Sequence, residues 1–160
     1  MTEKAANPKI EDVFNEVLTG DVLKNALDFM EFLSANEIMQ IGQYEMQYKD
    51  ECVCYIDTKS ECHSWIVWAA GDYSNEYEDF QIDERTKEIA WAHANKCGYC
   101  EGTDCKPGRT KTIFGKEFTN ICNGADECVD LYFYNPDAEA LDGLKKLVAL
   151  RKNIIANRTE

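Results

Sequence analysis

The chain reads as an α+β domain: an antiparallel sheet of about five strands packed by two N-terminal helices, a central helix and a C-terminal helix, with a cysteine-rich loop. Three observations predict it. Apolar residues recur at helical spacing from Ile10 to Leu33, the period falls to two from Gln43 onward, and a last helical stripe follows Asn135-Pro136-Asp137.

Ile10, Val13, Phe14, Val17 and Leu18 form an i, i+3, i+4, i+7, i+8 stripe ended by Gly20, which predicts an amphipathic helix. A second helix follows, with Asp21 as its expected N-cap and Leu23, Ala26, Leu27, Met30 and Leu33 on one face until Asn36. Tyr44, Met46 and Tyr48 then alternate with Glu45 and Gln47, and Cys52–Ile56 and Ser64–Trp68 continue as strands. The polar connection from Asp57 to Cys62 suits an antiparallel hairpin.

Gly71 to Asp79 shows no period and is expected to be a loop. The central helix is expected from Asp83, its cap, to Lys96, with Thr86, Ile89, Ala90, His93 and Ala94 inward and Gly98 as its stop. Thr110–Thr119 and Val129–Tyr134 are two further strand candidates, the first with Gly115 as a bulge. Asn135, Pro136 and Asp137 read as N-cap, first helical residue and acidic first turn of a helix that buries Leu141, Leu144, Leu147, Val148, Ile154 and Ile155.

With 160 residues, 44% of them hydrophobic, the chain suits one domain over residues 1–160 that buries roughly 70% of the unfolded surface. Residues 1–8 and 157–160 are expected to fray. The net charge of −13 opposes general binding to nucleic acid or anionic membrane, since both are polyanions. No run approaches the roughly 18 apolar residues of a membrane span, and the segment up to Lys9 lacks a signal-peptide core. The expected compartment is the cytoplasm.

In a reducing compartment the eight cysteines should be thiols or metal ligands rather than disulfides. Five of them, Cys97, Cys100, Cys105, Cys122 and Cys128, fall within 32 residues. A Cys-x-x-Cys turn lets two sulfurs converge on one ion at about 2.3 Å, and later cysteines returning on a hairpin complete a tetrahedron. Zinc, which favours four thiolates, is the expected occupant. Cys97, Cys100, Cys105 and Cys122 are the expected ligands, with Cys128 and His93 competing for the last places. Packing of His93 as a core histidine is favoured over ligation.

Cys97-Gly-Tyr-Cys100 is also similar, over those four residues, to the active-site motif of some glutaredoxins. That resemblance implies a thiol redox pair, which in such folds opens a helix whose N-terminus stabilises the thiolate. Here the pair is expected to close the central helix, where the dipole acts the other way. Cys52 and Cys54, two apart with Ile56, are expected to share a strand face as core residues.

Lys106, Arg109, Lys111 and Lys116 form a run without an acid, expected to be a solvated face that offsets anionic thiolates rather than a phosphate grip. Trp65, Trp68, Tyr132 and Tyr134 raise a second binding site, an aromatic sheet face with Tyr73 and Tyr77 over it, although Trp65 and Trp68 cannot share a face. No catalytic residue is expected: there are two histidines, no Gly-x-Ser-x-Gly elbow and no His-Glu-x-x-His helix. The leading expectation is a non-enzymatic module that binds a small apolar or aromatic ligand, or a protein, and carries a structural zinc. The alternative is a thiol redox or transfer enzyme using Cys97 and Cys100.

Overall fold

A computed structural model describes residues 9–42, 44–70, 82–95, 109–121 and 130–158. These form an α+β fold with a five-stranded antiparallel sheet, a separate two-stranded sheet and four helices among the described residues. None of the helices is long and apolar enough to cross a membrane.

Helices α1 (Ile10–Val17) and α2 (Gly20–Ala35) bury Ile10, Phe14, Ala26, Phe29, Met30 and Leu33, so the apolar stripes do set the inward faces. The N-cap of α2 is Thr19 rather than Asp21, which falls in the first turn and there still suits the positive helix end.

A strand that the periodicity does not announce, β1 (Met39–Ile41), follows. It pairs with β2 (Glu45–Tyr48), which pairs with β3 (Glu51–Lys59). The β2–β3 turn is Lys49-Asp50, both at positive φ, the mark of a type I′ hairpin turn, here made without glycine. A register shift between Met46 and Gln47 leaves Val53 as an extra residue on β3. Cys54 therefore lies opposite Met46 and Cys52 opposite Gln47, neighbours that point to opposite faces of β2. The bulge resets the alternation, so Cys52 and Cys54 do not share a face as expected, but both are core residues as expected, Cys54 within the apolar cluster and Cys52 against it.

A single 3-10 turn, Ser60–Cys62, leads to β4 (Ser64–Ala69), antiparallel to β3. The last sheet partner, β7 (Leu131–Tyr134), pairs with β4 on its other side, giving the order β1-β2-β3-β4-β7. Between β4 and β7 in sequence come α3 (Glu84–Ala92) and the hairpin of β5 (Arg109–Ile113) and β6 (Lys116–Ile121). The expected single strand Thr110–Thr119 is therefore two strands, turned at Phe114-Gly115 with both residues at positive φ. Gly115 serves the turn, not a bulge.

Asp83 caps α3 as expected, its carboxylate accepting the Thr86 backbone N–H at 2.7 Å. The Thr86 side chain and this backbone bond, helped by Lys146, hold its carboxyl well below the usual 3.8, at about 2. The helix stops at Ala92 instead of Lys96 because the sheet claims the next residues. Tyr132 N donates to His93 O and Asn95 N to Asp130 O, each at 2.8 Å, and Ala94 pairs with Leu131.

The cap of α4 (Ala138–Arg158) also moves. Asp137 accepts the Ala140 N–H at 2.9 Å, while Asn135 turns back to the sheet and exchanges two 2.9 Å hydrogen bonds with the Trp65 backbone. The expected inner face of α4 is buried: Leu141, Leu144, Leu147, Val148, Ile154 and Ile155 join one apolar cluster with α1, α2 and the sheet. Helices α1 and α4 lie against β3, and α2 and α3 flank α4.

Helices α3 and α4 approach each other at Gly143. A Cβ there would stand 2.6 Å from Ile89 Cδ1 and 2.8 Å from its Cγ2. Alanine would gain about 1 kcal/mol of helix propensity, but overpacking a close contact costs about 1–3 kcal/mol. Gly143→Ala is therefore expected to lower Tm in thermal unfolding, and the Gly143→Ala/Ile89→Ala double variant to lose less stability than the two single losses combined. A Gly143→Ala protein more stable than the parent would contradict this packing.

Candidate functional site

The expected metal ligands Cys97, Cys100, Cys105 and Cys122, with Cys128, lie outside the described residues, as do Tyr73 and Tyr77. The described positions that flank the cysteine stretches are nonetheless drawn together. Asn95, two residues before Cys97, is hydrogen-bonded to Asp130, two residues after Cys128. Arg109 and Ile121, the latter next to Cys122, face each other across the β5–β6 hairpin.

Two further contacts tie that hairpin to the body. Trp91 Nε1 donates to Ile113 O at 2.6 Å, and Lys111 Nζ stands 3.5 Å from the fully buried Asp130 carboxylate. Lys116 lies over the rings of Trp91 and Phe118, at 5.3 and 5.5 Å from their centroids. Two members of the basic run thus have inward or ring-facing partners, so the expectation of a purely solvated face does not hold for Lys111. Desolvation of Asp130 is what requires a cation there.

His93 caps α3. A carbonyl only accepts, so the 2.7 Å contact with Ile89 O makes Nδ1 the donor and leaves the Nε2 lone pair open in the neutral ring. The ring stacks on Phe133 at 4.1 Å and 12°. It lines a cavity of about 320 Å³ with Arg85, Glu88, Tyr134 and Glu139, in which Arg85 bridges the two glutamates of α3 and α4. This matches a packed, hydrogen-bonded histidine.

Cys52, Cys54 and Cys62 form no disulfide and are respectively half-buried, buried and exposed. No cluster of three or more His, Cys, Asp or Glu suited to a metal ion occurs among the described residues.

The sheet presents a second candidate. Trp65 faces the helices, its ring 5.4 Å from Phe14 and 5.8 Å from Phe29. Trp68, three residues on, faces the other side, as the alternation requires. The registers align Ile41, Glu45, Tyr55, Trp68 and Tyr132 in one row across all five strands, with Asp57, Ile66 and Tyr134 in the row beside it. Trp68 and Tyr132 are in ring contact at 5.7 Å. Tyr55, Trp68 and Tyr132 are half-buried and Tyr134 is exposed. Of this row the sequence reading named Trp68 and Tyr132 but not Tyr55, whose alternation with Cys54 and Ile56 carried the signal.

Comparison with protein-family models, with curated proteins and with solved structures gives no match.

The Lys111–Asp130 pair yields a direct test. Removing one partner of a buried pair leaves an uncompensated charge and costs on the order of 3 kcal/mol. Lys111→Ala is expected to lower the unfolding free energy from urea titration by that amount, with a lower midpoint, and Lys111→Met/Asp130→Asn to recover part of it. An unchanged midpoint for Lys111→Ala would show that the pair does not hold the hairpin.

Proposed function

We propose that the chain is a non-enzymatic binding or accessory module of the cytoplasm, which holds a small, flat, apolar or aromatic ligand on the sheet face away from the helices and is braced by a structural zinc on Cys97, Cys100, Cys105 and Cys122. The observation that carries the ligand half is the row Tyr55, Trp68, Tyr132. Three rings aligned across adjacent strands give a planar guest a stacking floor, and an aromatic contact contributes about 0.5–1.5 kcal/mol beyond its area. Glu45 at the end of the row supplies a polar group for orientation.

Support for the zinc half comes from the flanks. The bond between Asn95 and Asp130 joins the described chain two residues before Cys97 to the described chain two residues after Cys128. The pairing of Arg109 with Ile121 does the same for the stretch after Cys105 and the start of that at Cys122. Tetrahedral ligation needs such convergence. With Asn95 beside Asp130, Cys128 is the natural replacement for Cys105 should one of the four differ.

Both halves are testable on protein purified without added metal. One zinc per chain by elemental analysis, with four thiols unreactive until a chelator is added, is the expected result. Metal-free protein with a rapidly alkylated, low-pKa Cys97 or Cys100 would replace the zinc brace with the thiol redox reading. For the ligand half, 2-naphthol is expected to quench tryptophan fluorescence saturably and to bind about tenfold more weakly to Trp68→Ala, a loss of about 1.4 kcal/mol. Equal affinity in that variant would remove the sheet face from the proposal.

A further inference from the structure

The cavity of about 320 Å³ that His93 lines lies where α3, the end of β7 and the start of α4 meet, and its size is at the small end of ligand pockets. Main-chain groups of the sheet open onto its side. Asn135 N donates to Trp65 O, so residues 65 and 135 form a hydrogen-bonded pair and their neighbours Ile66 and Tyr134 a non-hydrogen-bonded one. The N–H and C=O of Tyr134 therefore point away from β4, to the side on which Tyr132 N donates to His93 O. Continued one pair further, that register would set Trp91 opposite Tyr134. Trp91 belongs to α3, so the strand-like pairing stops short and the cavity lies in its place.

His93 adds a third polar group of set direction. Its ring is held by the 2.7 Å bond from Nδ1 to Ile89 O and by the stack on Phe133, which leaves the opposite ring edge, with the acceptor Nε2, to the cavity. The charge around these groups is unbalanced: Glu88, Asp137 and Glu139 line the cavity against Arg85 alone. Arg85 is engaged by Glu88 and Glu139, so its donors are taken up, whereas each carboxylate keeps lone pairs for a further donor. Ile89, Ala92 and Ala140 supply an apolar wall. The cavity thus offers chiefly acceptors and an excess of negative charge.

We propose that it binds a small planar organic cation rich in N–H donors, an amidinium or guanidinium group on a short apolar or aromatic body. The N–H groups of the ligand donate to His93 Nε2, to Tyr134 O and to the carboxylates of Glu88 and Glu139, and its body lies against Ile89, Ala92 and Ala140. Such a cation matches carboxylates with charge-assisted, paired hydrogen bonds, which a neutral amide cannot, and an anion meets the excess of carboxylates as repulsion. The net charge of −13 also raises the local concentration of cations. The site is separate from the aromatic row and needs neither a ligand there nor zinc.

The probe is benzamidine, with benzamide as its neutral isostere and benzoate as its anionic counterpart, titrated into the full chain and followed by calorimetry and by proton–nitrogen correlation spectra of the amides and imidazoles. Saturable binding of benzamidine is expected, with shifts centred on residues 85–93 and 134–140 and on the His93 ring, while the His63 ring stays still. Benzamide and benzoate are expected not to saturate. Glu88→Gln/Glu139→Gln, which leaves Arg85 against Asp137 alone, is expected to weaken benzamidine at least about tenfold. His93→Asn, whose amide can still donate to Ile89 O but puts nothing in place of Nε2, is expected to weaken it by a similar factor.

Each variant is checked by circular dichroism. Glu88 and Glu139 are exposed side chains, so if His93→Asn does not fold, the glutamine variant and the His93 ring shift decide the matter. The proposal is overturned if benzamidine fails to bind, if benzamide binds as tightly, if the glutamine variant binds undiminished, or if the shifts gather on Tyr55, Trp68 and Tyr132 instead. Trp68→Ala is expected to keep full benzamidine binding, so failure of the aromatic row and failure of this cavity remain separate results.

Discussion

Trp65 is the residue through which most of the structure is joined. Its indole fills the space between Phe14 of α1 and Phe29 of α2, and its backbone N–H and carbonyl are both bound to Asn135, between β7 and α4. One position on β4 therefore fixes the helical hairpin, the adjacent edge strand and the entry to the longest helix. The indole N–H is buried without an acceptor among the described residues, at a cost of about 1–3 kcal/mol. Complete burial of a side chain of this size, with two ring contacts, outweighs that cost. Asn135 holds a positive φ because the sheet needs its side chain at Trp65, and for that reason it does not cap α4.

With Trp65 committed to the helices, strand alternation sends Trp68 to the opposite face. All four helices belong to the Trp65 side through their packing on β3 and α4. What reaches the other side is a row that changes character along its length, from Ile41 at the β1 edge through Glu45 to the three rings of Tyr55, Trp68 and Tyr132. The aromatic row and the apolar strand edge are thus two ends of one surface, both consequences of which residue of β4 points inward.

The helices and the central strands were legible because their signal is periodic and local. The stripes of α1, α2 and α4, the cap at Asp83 and the alternation through Trp68 all appear in the structure where the residues put them. What the sequence did not disclose was decided by partners far along the chain. Residues 93–95 leave the helix because β7 binds their backbone, and Asn135 yields the cap to Asp137 because Trp65 is its better partner. β1 is too short, at three residues, to show a period. The bulge at Val53 is set by pairing with β2, which composition cannot reveal. For the candidate site, spacing marked the cysteines, but it was silent on Lys111 and Asp130, whose contact joins segments 19 residues apart and follows from burial rather than from any motif.

The β5–β6 hairpin is the described element with the least support from the main sheet. Two strands alone are marginal in water. This pair is not part of the main sheet and is fastened by the Trp91 hydrogen bond, the Lys116 ring contacts and the ion pair of Lys111 with Asp130. The ion pair loses most of its Coulombic gain to desolvation, and the ring contacts at a partly exposed site are worth about 0.5–1 kcal/mol each. These contacts orient the hairpin more than they stabilise it. A zinc bound as proposed would add energy where these side chains supply chiefly geometry. Loss of such an ion would then loosen this hairpin before it disturbed the Trp65 core.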